Sequence, residues 1–164
     1  MIQKLILKLP WSEIREASNQ HKLDPLLIAA LIIHESSVNQ YAMRYEPGWK
    51  YWFEVRTLAE LVGSSVPTEE VGQATSWGYM QIMGGVCREY GYRGWFPRLC
   101  QTKVNLWYGC TYLKRKMTVY NNTLEAVAAY NAGSVRKTDG GMFTNEKYVD
   151  SVMRHYRRLQ SIKA

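Results

Sequence analysis

A single carboxylate stands just past the longest apolar run of the sequence. Pro25 to Ile33 are nine uninterrupted apolar or proline positions, His34 follows, and then comes Glu35. At helical spacing Ile28, Leu31, Ile32 and Glu35 share one face, so the acid emerges from an apolar stripe close to a helix's C-terminal end. Burial disfavours a charged carboxylate, and the negative end of a helix disfavours an anion, so a raised pKa is the expectation. A carboxyl held protonated in this way is suited to give a proton to a leaving group as a general acid. The same residues also allow a plainer arrangement, in which the helix simply ends and Glu35 faces solvent beside Ser36 and Ser37.

Other chemistry-bearing residue types are poorly grouped. His21 and His34 have no third ligand at a suitable spacing, so they read as surface or hydrogen-bonded histidines and no metal site is expected. Cys87, Cys100 and Cys110 are odd in number and form no C-x-x-C, which argues against a disulfide framework and leaves a single bridge open. No cofactor is expected.

The elements that must position Glu35 begin with its own helix, where Asp24 serves as N-cap and Pro25 takes the first helical position, at which a missing N–H costs nothing. Trp11 to His21 reads as a short amphipathic helix with Trp11, Ile14, Ala17 and Ser18 on one side. After Asn39 the pattern turns irregular and aromatic, with a Pro47-Gly48 turn, as in a loop or a strand-like flap. Its Trp and Tyr rings suit a ligand wall or a core equally. Short helices follow at Leu58 to Val62 and around Thr68 to Ala74, with Gly63 to Pro67 as a breaker and Thr68 as a cap. Ser76 to Met83 reads as the opening of a helix that runs to about Tyr90 and is ended by Gly91 and Gly94.

Leu99 to Tyr120 reads as a long helix with an apolar face of Val104, Trp107, Tyr108, Thr111 and Tyr112, a basic face at Lys114 to Lys116, and a close approach at Gly109. Leu124 to Tyr130 is a short apolar helix with Gly133 as its left-handed cap. The last helix, from about Asn145 to Ile162, turns Tyr148, Val152, Tyr156 and Leu159 inward. The result is a mainly α, single domain over 1–164, with no alternating run long enough to demand a sheet.

The net charge of +7 favours polyanionic partners, among which nucleic acid, anionic lipid and bacterial wall polymers all qualify. The basic residues are scattered apart from a cluster at Arg154, His155, Arg157, Arg158 and Lys163, and no nucleic-acid motif accompanies them, so no nucleic acid is expected. With 12 Tyr and 6 Trp against 3 Phe, many rings carry a polar edge, which suits a groove for sugars. Leu5 to Leu7 is too short an apolar run for a signal-peptide core or a transmembrane segment.

Five short pieces in order carry a family resemblance: Glu35-Ser36; Gly78-Tyr79-Met80-Gln81; Asn105 with Gly109, Tyr112 and Leu113; Ala129-Tyr130-Asn131-Ala132-Gly133; and Tyr148-Val149. Together they resemble the soluble, Slt-type lytic transglycosylases, relatives of goose-type lysozyme, with Tyr79 in place of the family's usual Leu. The resemblance covers roughly Leu23 to Leu159. It implies a single-domain, lysozyme-like helical fold that cleaves the β-1,4 bond between N-acetylmuramic acid and N-acetylglucosamine in peptidoglycan. By position Glu35 matches the catalytic acid and base, Ser36 its neighbour in the E-S signature, Gln81 and Met83 residues lining the sugar site, Tyr130 and Asn131 the pair that orients acid and substrate, and Tyr148 the late tyrosine.

The sequence departs from the family in three places. Arg44 stands where a serine often follows the glutamate, an aromatic-rich insertion occupies about 45–75, and Thr144-Asn145 replaces a Glu-Thr pair, removing one carboxylate. Glu46 and Glu54 in the insertion are candidates for a second acid, which would favour plain hydrolysis. The expected activity is therefore a lytic transglycosylase leaving 1,6-anhydromuramic ends. The alternatives are a hydrolytic muramidase on the same scaffold and a non-catalytic wall-binding or virion structural protein. The expected partner is the glycan strand and the expected state a monomer. The expected place of action is the cell wall, periplasmic or extracellular. Without a visible signal peptide, delivery is expected by a phage virion, through a holin, or by a secretion apparatus.

Overall fold

The apolar run before Glu35 folds as expected, and for the expected reason. Asp24 Oδ1 accepts from Leu26 N at 2.7 Å, Pro25 is the first helical residue, and the helix runs to Ser36. Its burial is wider than a stripe, since Leu26 to Ile33 are all buried. A helix apolar on every side belongs inside a core. The computed structural model describes residues 2–163, with the side chains of 3–162, so the side chain of Lys163 in the basic cluster and the ends of the 1–164 domain lie outside the described residues.

In chain order the elements are α1 (Ile2–Lys8), α2 (Trp11–His21), α3 (Pro25–Ser36), β1 (Met43–Tyr45), α4 (Val55–Val62), α5 (Val66–Gln73), β2 (Thr75–Trp77), β3 (Ile82–Met83), α6 (Gly84–Glu89), a 3₁₀ turn (Phe96–Cys100), α7 (Thr102–Tyr120), α8 (Thr123–Ala132) and α9 (Glu146–Lys163). They form two compact units, Met1–His34 with Gly109–Ala164, and Glu35–Tyr108. Mainly helical architecture is thus as expected from the sequence, and the small sheet is not.

In the first unit, α2 buries Ile14, Ala17 and Ser18 as its period predicts. Lys22 takes a left-handed conformation (φ 52°), and Ser18 Oγ donates to Leu23 O at 2.6 Å, which turns the chain into α3. Asp24 does a second job there, accepting from the Tyr156 hydroxyl on α9; that bond is the main cause of a Tyr156 pKa raised to about 12. On α9 the fully buried positions are Val149, Val152 and Leu159, while Tyr148 and Tyr156 are half-buried. α8 starts at the Asn122 cap, whose Oδ1 accepts from Glu125 N at 3.1 Å, and runs through Asn131 to Ala132 before Gly133 takes φ 78°.

In the second unit three readings are corrected. Ser76 to Met83 opens no helix: β1, β2 and β3 form an antiparallel sheet in that order, with Met43 opposite Trp77 and Ser76 opposite Met83. Strands this short cannot display an alternating pattern, and Gly78 at φ 68° reverses the chain between β2 and β3. The helix expected from Ser76 begins only at Gly84. α5 is capped one turn earlier than expected, with Ser65 Oγ accepting from Thr68 N at 3.2 Å and Pro67 inside the first turn, where proline is tolerated. α7 starts at Thr102, after the 3₁₀ turn that holds Leu99.

The buried side of α7 is also rotated from the expected one. Asn105, Leu106, Gly109, Cys110 and Leu113 are buried, whereas Trp107 is 50% exposed. A buried asparagine was outside the apolar reading, and it is admitted because its amide is satisfied, as follows.

Candidate active site

Glu35 lies in the last turn of α3, half-buried, with Ser36 beside it. The chain then leaves the helix through two left-handed residues, Ser37 (φ 51°) and Val38 (φ 62°), and Asn39 N donates to Ser36 O at 3.0 Å. Positive φ is unusual for any side chain and rare for a β-branched one. The reversal leads to Ala42, whose carbonyl accepts from Gly78 N at 2.8 Å and from Gln81 Nε2 at 3.0 Å. The segment leaving Glu35 is thereby fastened to the turn between β2 and β3.

That turn is over-determined. Asn105 Oδ1 accepts from Met80 N at 2.8 Å, and its Nδ2 donates to Trp77 O and to Leu99 O, each at 2.8 Å. A Cβ at Gly78 would come within 2.4 Å of Asn105 Nδ2, so glycine is required there for space as well as for φ. Gln81, itself at φ 46°, gives its other Nε2 hydrogen to Gly78 O at 2.9 Å and accepts from Ser76 Oγ at 3.1 Å. Both hydrogens of the Gln81 amide thus go to backbone carbonyls, and the side chain fixes the turn that presents Met83, half-buried at the start of α6. Sequence reading placed Asn105 in a family signature but assigned it no part in the site. Its signal was a polar residue in the buried register of a helix.

The insertion is anchored by a polar network that the sequence did not reveal. Arg88 and Glu69, both fully buried, pair through Nε to Oε1 and Nη2 to Oε2, each at 2.7 Å. Arg88 Nη1 also donates to Tyr92 O (3.0 Å) and Gly94 O (2.9 Å), and its guanidinium lies 4.2 Å from the Phe96 ring centre. Glu69 Oε1 further accepts from Gln73 Nε2 at 3.0 Å, and the Gln73 amide exchanges two bonds with the Phe53 backbone, at 2.8 and 2.9 Å. A buried ion pair persists only when its remaining donors and acceptors are met in this way.

The insertion's rings divide. Trp49 packs so closely on Gly85 that a Cβ there would sit 2.8 Å from its ring, and its buried Nε1 has no hydrogen-bond partner among the described residues. Trp52 is 47% exposed, and Tyr45 and Tyr51 are exposed as well. Glu46 is held by Arg44 Nε at 2.6 Å, and Glu54 is exposed at the left-handed N-terminus of α4 (φ 41°).

The other sequence-predicted residues belong to the first unit. Tyr130, on α8, is buried with its ring centre 5.3 Å from that of Tyr112. Asn131 follows, exposed, and its Oδ1 accepts from Asn145 Nδ2 at 3.0 Å. Lys116 donates to Gly133 O, placing a cation at the negative end of α8. Tyr148 meets the His34 ring edge-on at 4.7 Å, and His34 Nδ1 is 3.0 Å from Ser151 Oγ. Burial, and then His155, hold His34 below its ordinary pKa, so the residue preceding Glu35 is neutral at neutral pH. His21 is likewise hydrogen-bonded, to Ala17 O and Thr111 Oγ1.

All three cysteines are buried thiols outside any disulfide, and burial raises each thiol's pKa, so none is a poised nucleophile. No cluster of three metal-ligating side chains occurs among the described residues, and no helix among them is long and apolar enough to cross a membrane.

Glu35 is thus a half-buried carboxylate at a helix end, on a segment that is fastened through Ala42 to the turn between β2 and β3. Compared with known families, residues 12–148 match the model described as the transglycosylase SLT domain. Comparison with curated proteins and with solved structures gave no match.

Proposed function

The chain belongs to the transglycosylase SLT domain family, lytic transglycosylases acting on the peptidoglycan of the cell wall, and we propose that it cleaves the muramic acid to glucosamine bond with Glu35 as its one acid and base. Protonated Glu35 gives its proton to the glycosidic oxygen as the bond from that oxygen to the muramic C1 breaks. The C6 hydroxyl of the same muramic residue then bonds to C1 and returns its proton to the Glu35 carboxylate. No water is consumed, and the product carries a 1,6-anhydro ring. By the family match Gln81, Met83, Tyr130, Asn131, Ser36 and Tyr148 are assigned to substrate binding, Gln81 and Met83 as sugar-lining residues and Tyr130 and Asn131 as the pair that orients acid and substrate.

The observation that carries this reading is the contrast among carboxylates of one unit. Glu35 stands half-buried at a helix end, whereas Glu46 is paired with Arg44 and Glu54 is exposed at a helix start. Two-carboxylate glycosidases need a second acid to activate water or to attack the sugar. Without one, an intramolecular hydroxyl has the advantage, since effective molarities of about 10⁵ M or more are reached by well-oriented attack.

Digestion of purified sacculi in heavy-oxygen water tests the reading by mass spectrometry. Unlabelled muramic ends, one water lighter than reducing ends, are the expected products. Predominantly labelled reducing ends would overturn it and make Glu46 or Glu54 the missing base.

A further inference from the structure

We propose that Asn145, next to Thr144 where the family's carboxylate is absent, is a positioning residue that fixes which end of the Asn131 amide faces the glycan; this rests on the assignment of Asn131 to the substrate site. The orientation follows from one carbonyl. Asn145 Nδ2 lies 3.0 Å from Ala128 O and 3.0 Å from Asn131 Oδ1. A backbone carbonyl only accepts, so the end of Asn145 facing Ala128 must be its NH₂ group. The same nitrogen faces Asn131, so Asn131 must meet it with oxygen. Its own NH₂ is left as the outward end of an exposed side chain.

Asn145 is well mounted for this task. It caps α9, where its carbonyl accepts from Tyr148 N at 2.9 Å and Val149 N at 3.2 Å. The loop before it is folded back on itself, with Lys137 bridged to Phe143 and Thr144 N donating to Arg136 O at 2.9 Å. Glu146 Oε2 accepts from Phe143 N at 2.7 Å, which closes the start of α9. The donor aimed at Asn131 is therefore set by backbone geometry on both sides. A carboxylate at position 145 would only accept, and Asn131 would have to turn its NH₂ inward. Asn145 instead leaves the Asn131 NH₂ as the donor facing the sugar, which selects an acceptor such as an acetamide carbonyl or a ring oxygen.

The test compares Asn145→Asp, Asn131→Asp, Asn131→Ala and the Asn131→Ala/Asn145→Asp pair, using muropeptide release from sacculi and thermal melting. Asn145→Asp removes the donor to Ala128 O and to Asn131 Oδ1, so the melting temperature is expected to fall modestly while turnover falls about ten- to hundredfold. The effect should vanish in the Asn131→Ala background, because there is no amide left to invert. Asn131→Asp keeps the bond from Asn145 but shows an oxygen outward, so it should lose as much activity as Asn131→Ala, whatever the stability of the Asn145 variant.

Wild-type turnover in Asn131→Asp, or an Asn145→Asp loss that persists undiminished without the Asn131 amide, would overturn the assignment. A wild-type protein that releases no muropeptide would overturn the functional reading, and this one with it. An active wild type with indifferent variants would overturn this one alone.

Discussion

Glu35→Gln keeps the size and polarity of the side chain and removes the only proton it has to give. Each of the two transfers assigned to it contributes about 10²–10⁴-fold. Turnover on sacculi is therefore expected to fall by several orders of magnitude, with melting temperature and sacculus binding unchanged. Comparable loss in Glu46→Gln would shift the chemistry to a two-carboxylate site. Glu69 is charged for a different reason, which is architecture. Glu69→Ala leaves the Arg88 guanidinium buried and unpaired, and breaking such a pair costs about 3–5 kcal/mol. Urea denaturation should show that loss. Replacing both partners by apolar residues, Glu69→Leu with Arg88→Met, should recover most of it, because no charge then remains in the core.

At the scale of elements, the sheet and its turn exist because α7 answers them: one Asn105 amide binds backbone on both sides of Gly78. The insertion is held just as firmly, at Phe53 by Gln73 and at its ends by the pairing of Tyr45 with Thr75, and its two tryptophans should behave differently. Trp49→Ala removes a half-buried ring packed on Gly85 and is expected to cost on the order of 2–3 kcal/mol, somewhat under the figure for a fully buried ring. Trp49→Phe discards the unpartnered indole donor and should leave stability unchanged or improved. Trp52→Ala should shift stability by less than about 0.5 kcal/mol while weakening glycan binding, as expected for an exposed ring that stacks on sugar. Calorimetric melting and titration with soluble glycan strands separate these outcomes. Strong destabilisation by Trp52→Ala would make that ring structural.

For the whole molecule the relevant quantity is its charge. A net +7, with Arg154, Arg157 and Arg158 exposed along α9, attracts the anionic sacculus through a field that salt shortens. Raising ionic strength from about 0.01 M to about 0.1 M cuts the screening length from about 30 Å to about 10 Å. Sacculus binding should weaken severalfold over that range, while affinity for an uncharged N-acetylglucosamine oligomer stays constant. Equal salt dependence for both ligands would mean that the charge plays no part in reaching the wall.

What the sequence determined by itself is whatever is encoded within a few turns of chain. Asp24 and Pro25 start α3, the 3.6-residue period places Ile14, Ala17 and Ser18 inward on α2, and Gly133 ends α8; each depends on residues within hydrogen-bonding reach along one helix. The five short signatures likewise identified the family, because they name residue types in order and need no geometry. Tertiary structure decided the remainder. The Ser76 to Met83 segment reads by itself as the opening of a helix, but its fate is set by pairing with Met43 to Tyr45 and by the Asn105 amide, both distant in sequence. The buried side of α7 follows from where Asn105 finds partners rather than from where the aromatic rings lie, since Trp107 has a polar edge that water tolerates. Arg88 and Glu69 could enter the core only as a pair, so neither residue alone announced its burial: a charge's cost of leaving water depends on what it meets inside, and that is a property of the fold.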